Sequence, residues 1–367
     1  MNIPQFDLKR SCARLAEPLA ARWAEQVAAA AFVGGPEVAR FEEGFAAYLG
    51  AGGCVGVANG TDALVVALRA LDLEPGDEVI VPAFTFVATA SAVALAGGVP
   101  VFAEVEPDTL NLDATDAAAR VTPRTVGVIG VHLFGRPYDL AGVSELCRRH
   151  GLWQLEDAAQ AHGARVGERR VGSFGELASW SFYPTKNLGG FGDAGAVTGD
   201  DPALLARVRR IANHGRTEHY LHAELGTNSR LDALQAAVLN LRLPGLDAAN
   251  ARRREGAACY REALTGASGV DILRDPDGTE PVYHQFTLLA DRRDALREHL
   301  AADGIGSTVF YPVPLHRQPA LARFSPAGLE LPVSEAAARR ALSLPIFPEL
   351  EAAEVEAVCR SLGRFFA

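Results

Sequence analysis

Lysine is almost missing from this 367-residue chain: of 35 basic side chains, only Lys9 and Lys186 are not arginine. The drift toward arginine is that of a GC-rich coding sequence, so the scarcity alone assigns nothing. It shows where arginine was not accepted. Arginine replaces lysine as a surface charge. It cannot replace it as an amine that sheds its proton and attacks a carbonyl, because the guanidinium stays charged. Lys9 sits near the N-terminus, where charge is usually surface decoration. Lys186 sits in Ser181-Phe-Tyr-Pro-Thr-Lys-Asn-Leu-Gly-Gly190, a loop-like stretch after an apolar run. A Schiff base is therefore the first expectation for Lys186.

Other absences narrow the class. There is no Lys/Arg-rich block, and the net charge is -10, which argues against a nucleic-acid surface. The five cysteines (Cys12, Cys54, Cys147, Cys259, Cys359) are scattered and form no C-x-x-C pair. That pattern fits free thiols in a reducing cytoplasm better than disulfides or a zinc site. The first residues carry no apolar core of a secretory signal. Repeats and low-complexity segments are also missing. Val79–Ala103 is uncharged and long enough to span a bilayer. Pro82, Gly97-Gly98 and Pro100 cut it into a strand, a short helix, a turn and a second strand.

What is present is an alternation. Two helical patterns, Leu15–Ala31 and Glu37–Leu49, come first. Short apolar runs then read as seven strands: Cys54–Val57, Glu78–Val81, Val99–Val105, Val126–Val131, Trp153–Glu156, Ala178–Phe182 and Ala196–Thr198. Amphipathic helices such as Asp62–Leu71 and Leu140–His150 separate several of them. This predicts an α/β fold with a mostly parallel seven-stranded sheet covered on both faces. Chemistry in such sheets collects at the carboxyl ends of the strands. After about residue 250 the pattern becomes helix Asn250–Leu264, strand Val282–Ala290, helix Arg292–Asp303, the turn Tyr311-Pro-Val-Pro-Leu-His316, and helix Glu351–Leu362. The expected division is a large domain over 1–249, with an N-terminal helical segment, and a small α+β domain over 250–367. Leu243-Pro-Gly-Leu246 is the break between them.

Four segments fit one cofactor. In Ala58-Asn-Gly-Thr-Asp-Ala-Leu64 a strand ends and a helix begins; the free N–H groups at Gly60 and Thr61 suit a phosphate. Thr61 as a plain helix cap is an equal reading at this stage. Trp153-Gln-Leu-Glu-Asp157-Ala-Ala-Gln160 puts a carboxylate at a strand's carboxyl end, where it can keep a pyridine nitrogen protonated; capping of the next turn is the alternative. Ser181…Lys186 supplies the amine. Pro82-Ala-Phe-Thr-Phe86 offers an aromatic face for a flat ring, against core packing as the ordinary role of a phenylalanine. Phosphate cradle, pyridine partner, amine and stacking face together describe a pyridoxal 5'-phosphate (PLP) site.

At this point the chain resembles the DegT/StrS-type sugar aminotransferases, of the aspartate-aminotransferase-like fold (PLP fold type I). The likeness is carried by Phe32-Val-Gly-Gly-Pro-Glu-Val-Ala-Arg-Phe-Glu42, Gly60-Thr-Asp-Ala-Leu64, Glu156-Asp-Ala-Ala-Gln-Ala-His-Gly163, the lysine loop, Asn228-Ser-Arg-Leu-Asp-Ala-Leu-Gln235, Tyr311-Pro…Pro-Leu-His316 and Leu342-Ser-Leu-Pro345. The resemblance implies that Lys186 bonds the cofactor's aldehyde carbon and moves protons, and that Asp157 pairs with its ring nitrogen. It implies Gln160 at the 3-hydroxyl side and Phe86 stacked on the ring. Gly60, Thr61 and Ser181 would hold the phosphate, and Asn228 would reach the phosphate of the neighbouring subunit. A homodimer with shared sites follows. Where the family usually has Gly-Asp-Gly-Gly-Ala, this chain has Gly192-Asp-Ala-Gly-Ala196. The added methyl of Ala194 is expected beside the site, tightening the loop.

Two patterns are set aside. Gly190-Phe-Gly192-Asp-Ala-Gly195 matches G-x-G-x-x-G, but a strand and not a helix follows. His214, His219 and His222 lack the H-E-x-x-H spacing of a zinc site and read as a solvated or substrate-facing loop. The resemblance implies amino transfer from L-glutamate or glutamine to a dTDP- or UDP-linked 3-keto-(6-deoxy)hexose, for a natural product or surface glycan, with His162, Tyr311 and His316 as candidate substrate contacts, packing and turn hydrogen bonds being the equal reading for these three. A 4-keto sugar is the alternative acceptor. A sugar dehydratase of the same fold usually has histidine in place of this lysine, and a sensor is expected to lose some of Lys186, Asp157 and Gln160.

Overall fold

The computed structural model describes residues 2–367. All seven expected strands form: β1 Gly53–Val57, β2 Glu78–Pro82, β3 Val99–Ala103, β4 Thr125–Val131, β5 Trp153–Asp157, β6 Leu177–Ser181 and β7 Gly195–Gly199. They make one sheet in the order β1-β7-β6-β5-β4-β2-β3. Only β7 runs against the others, pairing antiparallel with β1 and β6. The parallel strands need long crossovers. β6 and β7 are joined by the lysine loop alone, so the chain returns beside β6 in the opposite sense.

The strands bury both faces, with alternate residues facing opposite ways. Val55, Val57 and Leu177 pack with helices Gly60–Ala70, Ala88–Ala96 and Pro202–Ile211. Cys54, Ala178 and Trp180 pack on the other face with helices Pro36–Leu49 and Ala233–Arg242. On that second face Phe45 stands edge-on to Trp180 at 5.1 Å and to Phe182 at 5.3 Å. Trp180 closes the contact by donating from Nε1 to Thr198 Oγ1 at 2.8 Å. This aromatic block lies under the start of the lysine loop. Val79–Ala103 folds as β2, helix Ala88–Ala96, a turn at Gly97 and β3. Among the described residues no helix is long and apolar enough to cross a membrane.

A second core gathers around the antiparallel sheet Val270–Ile272, Phe286–Ala290 and Ala341–Leu344. Helices Leu246–Ala263, Arg293–Ala302 and Ala352–Phe366 cover it, and Ile3 reaches it from the N-terminus. Two boundaries differ from the sequence reading. Leu243–Gly245 is a single 3-10 turn, and the next helix begins at once at Leu246. The strand expected over 282–290 is paired only from Phe286. Val282 donates instead to the Gly135 carbonyl at 2.9 Å, and Tyr283 takes a left-handed φ of 42°. Tertiary hydrogen bonding overrides the alternating pattern there.

Phe45 is fully buried, so Phe45→Ala should lower unfolding stability by about 3–5 kcal/mol through cavity formation. A urea midpoint that barely moves would contradict this packing.

Candidate active site

The carboxyl ends of β1, β2, β4, β5 and β6 converge on a cavity of about 480 Å3 lined by Gly60, Thr61, Phe86, Asp157, Gln160, Ser181, Lys186 and Tyr311. The parallel topology produces this convergence: each strand delivers its last residue to the same edge.

The lysine arrives on a fixed turn. The Lys186 amide donates to the Tyr183 carbonyl at 2.8 Å, and the Gly190 amide returns to Phe182 at 2.7 Å. Asn187 donates to Asn250 Oδ1 at 2.9 Å and to the Val282 carbonyl at 3.0 Å. Arg242 donates to the Gly189 carbonyl at 2.8 Å. A methyl at Gly189 would lie 2.4 Å from the Pro184 carbonyl oxygen, so the loop closes only with glycine there. Burial lowers the Lys186 amine to about 8, against the opposing pull of the Asp157 charge. Near neutral pH a useful fraction is unprotonated, as a nucleophile requires.

Asp157 is its counterpart. Thr89 Oγ1 donates to one carboxylate oxygen at 2.8 Å and the Ala159 amide to the other at 3.2 Å. Burial pushes the carboxyl above the ordinary aspartate value, while those bonds and the Lys186 charge pull it back. A pyridinium nitrogen set against it would supply the opposite charge that burial otherwise denies. Behind it, fully buried Glu156 accepts from the amides of Gly172, Phe174 and Gly175 and pairs with His132 Nε2 at 3.0 Å. Burial raises its pKa, but the His132 contact and the amides outweigh that and hold the group below the ordinary glutamate value. The His132 amide in turn donates to the Asp157 carbonyl at 3.1 Å. Sequence reasoning missed both Thr89 and the His132–Glu156 pair; only the Glu-Asp doublet at the end of β5 hinted at it.

At the other end, helix Gly60–Ala70 points its N-terminus into the cavity. Asn59 caps it, accepting from the Asp62 amide at 2.8 Å. The reading of Thr61 as the cap is thereby replaced, and Thr61 lies one position inside the helix on the cavity wall. A side chain at Gly60 would put its Cβ 2.5 Å from Ser181 Cβ, so glycine lets the helix end approach the serine. Glycine, threonine and serine form a cradle of phosphate-binding chemistry. Gln160 accepts from the Phe134 amide at 2.6 Å and donates to the Tyr311 hydroxyl at 3.0 Å. Phe86 is half exposed at 52% and its ring lies 6.0 Å from that of Tyr311, so it presents a face at the cavity wall rather than packing into a core.

Three expected residues lie elsewhere in the chain's own fold. His162 is turned into the aromatic block, 5.2 Å from Trp180 and 5.5 Å from Phe182. Burial, assisted by the Lys186 charge, lowers it to about 3. His316 is buried against Glu335, with Nε2 at 3.1 Å from a carboxylate oxygen. Neither lines the cavity. Asn228 lines an adjoining recess with Arg230; Asn59 and Asp193 border both spaces. Ala194 packs in the aromatic core and not in the cavity. Phe6, His284 and Gln285 also line the cavity, and no motif pointed to them; Thr85, within the Pro82–Phe86 segment, lines it as well.

The residues fit PLP: a shielded amine, a buried carboxylate lacking a permanent cation partner, a glycine cradle that a methyl would fill, and a free aromatic face. The comparisons agree. A profile of the DegT/DnrJ/EryC1/StrS aminotransferase family matches residues 16–363. The chain is 46% identical to the dTDP-3-amino-3,4,6-trideoxy-alpha-D-glucose transaminase of Streptomyces venezuelae, covering 95% of this chain and 92% of that one. It is 42% identical to the UDP-N-acetyl-3-dehydro-alpha-D-glucosamine 3-aminotransferase of Acidithiobacillus ferrooxidans, covering 99% and 97%. The crystal structure of DesV from S. venezuelae, solved with a ketimine intermediate, superposes with a TM-score of 0.97 at 45% identity, covering 99% of this chain and 98% of that one. With this fold and this cavity, the chain belongs to the DegT/DnrJ/EryC1/StrS aminotransferase family and is a PLP-dependent aminotransferase of fold type I.

Proposed function

We propose that the enzyme moves an amino group from L-glutamate or L-glutamine to a dTDP- or UDP-linked 3-keto sugar, in the making of an amino sugar for a natural product or surface glycan. The observation that carries this is the convergence of Lys186 and Asp157 in one cavity, in a chain two of whose relatives, matched along nearly its whole length, are named for C-3 amino sugars. The apolar walls supplied by Phe6 and Phe310 suit a 6-deoxy ring.

PLP supplies an electron sink for the pair left behind when a substrate carbon loses its proton. This chain supplies position and proton control. Asp157 holds the proton of the ring nitrogen. Gly60, Thr61 and Ser181 anchor the phosphate, and Phe86 covers a ring face. Lys186 would be the neutral base that takes the proton from the substrate carbon and returns it two bonds further on, beyond the substrate nitrogen. Its lowered pKa matches that task.

The site is completed in a homodimer. Asn228 and Arg230 sit outside their own cavity, and the preceding segment, the hairpin Arg216–His222 and the residues after it, leaves Tyr220 86% and Leu225 94% exposed, an apolar surface for a second copy. The five free cysteines fit a cytoplasmic enzyme.

Lys186→Ala should cut amino transfer by at least about a hundredfold, the scale of a lost general base, while PLP still binds weakly; near-full transfer would reject the reading. The apoprotein should capture PLP faster as pH rises, levelling off above about 8, where the amine is neutral. Asp157→Asn removes the charge that favours the ammonium, so that plateau should begin at lower pH. A rate still climbing beyond pH 10 would place Lys186 in water. If sites are shared, mixing inactive Lys186→Ala with Asn228→Asp should restore part of the activity, because one site of each mixed dimer has both native residues.

A further inference from the structure

One titratable side chain in the cavity has no part in the chemistry above. His284 is only 4% exposed, yet it lines the cavity with Lys186 and Tyr311. Its backbone is fixed on both sides. Val282 donates to Gly135 at 2.9 Å, Gln285 to Phe134 at 3.4 Å, and Arg253 Nη1 to the Tyr283 carbonyl at 3.3 Å. The Tyr283 hydroxyl is tied to the Asp275 carboxylate. The backbone that carries the imidazole is therefore held by both the Phe134–Gly135 loop and helix Leu246–Ala263.

Its two nitrogens differ. Nδ1 is sealed from solvent and meets no hydrogen-bond partner. Nε2 is the nitrogen left to open on the cavity. In His162 both nitrogens are sealed, so that ring offers the cavity nothing. A neutral imidazole carries one N–H. An N–H buried without an acceptor is among the rarest arrangements in folded proteins, and a bare acceptor costs less. The proton therefore sits on Nε2. Burial, followed by the positive charges of Lys186 and Arg253, holds the ring well below its ordinary pKa and so keeps it neutral.

We propose that His284 is a fixed Nε2–H donor that binds an oxygen flanking the reacting carbon of each substrate in turn. This rests on the aminotransferase reading above. Amino donor and keto sugar must use the same cavity at different times. The oxygen is a carboxylate oxygen in the first stage and a ring-hydroxyl oxygen beside the keto carbon in the second. Among the described residues no arginine of the same chain lines the cavity, and Arg230 lies with Asn228 in the adjoining recess. A charged donor at this position would favour the carboxylate over the hydroxyl and retain the keto acid product; a neutral one serves both.

His284→Gln keeps an N–H donor near the Nε2 position, His284→Asn keeps one only near Nδ1, and His284→Leu keeps none. Single-turnover spectroscopy of the PLP-loaded enzyme separates the two stages. The Leu and Asn variants should lose roughly 10- to 100-fold in kcat/KM in both stages, the scale of a hydrogen bond to a polar or charged group, and Gln should recover most of it. In the apoprotein, 15N NMR of labelled histidine should show Nδ1 bare and Nε2 protonated, with no titration down to about pH 5, well below a free histidine. A protonated Nδ1, a Gln variant no better than Leu, or a loss confined to one stage would overturn the proposal. If the wild type converts no nucleotide-linked keto sugar, the sugar assignment fails by itself, while the tautomer and the amino-acid stage still test His284.

Discussion

A half-buried amine and a buried carboxylate, brought together at the ends of neighbouring strands, govern this molecule. Burial drives Lys186 toward its neutral form and Asp157 toward its protonated form, and each partly restores the other's charge. Enclosing such a pair is costly, and the cost is tolerated only where surrounding groups are fixed and hydrogen-bonded. Here Thr89, the Ala159 amide and the His132–Glu156 pair supply that fixed surround for the carboxylate. The aromatic block of Phe45, Trp180 and Phe182 supplies it for the loop that carries the amine.

The reversed strand β7 ties these facts together. Because β6 and β7 are neighbours without a crossover helix, the chain between them is free to be a tight, glycine-closed loop over the sheet edge. The same loop is braced from outside by Arg242, and by Asn250 on the helix that leads into the second core. Scaffold and site thus share residues, and loosening the aromatic block would loosen the reactive amine.

The seven strands, their mostly parallel sense and the convergence of Gly60, Asp157, Gln160, Ser181 and Lys186 were legible in the sequence. Apolar runs bounded by glycine and proline report strands directly, and strand ends in a parallel sheet report the site. Other features were hidden for identifiable reasons. Thr61 and Asn59 both cap helices well, and only the fold shows that Asn59 takes the role. His162 stands two residues past Gln160 in a segment bearing site residues, yet the tight turn there rotates it into the core. His284 lies in a run that alternates like a strand; its position comes from hydrogen bonds to Phe134 and Gly135, far away in sequence, which no local pattern records.

In the proposed reaction one amine among two lysines carries the chemistry. Reconstitution with PLP, reduction with borohydride and peptide mapping by mass spectrometry test it in a single measurement. The pyridoxyl mass should fall on the peptide containing Lys186, with exposed Lys9 unlabelled. A protein that stays colourless, or a label found on Lys9 and not on Lys186, would contradict the account.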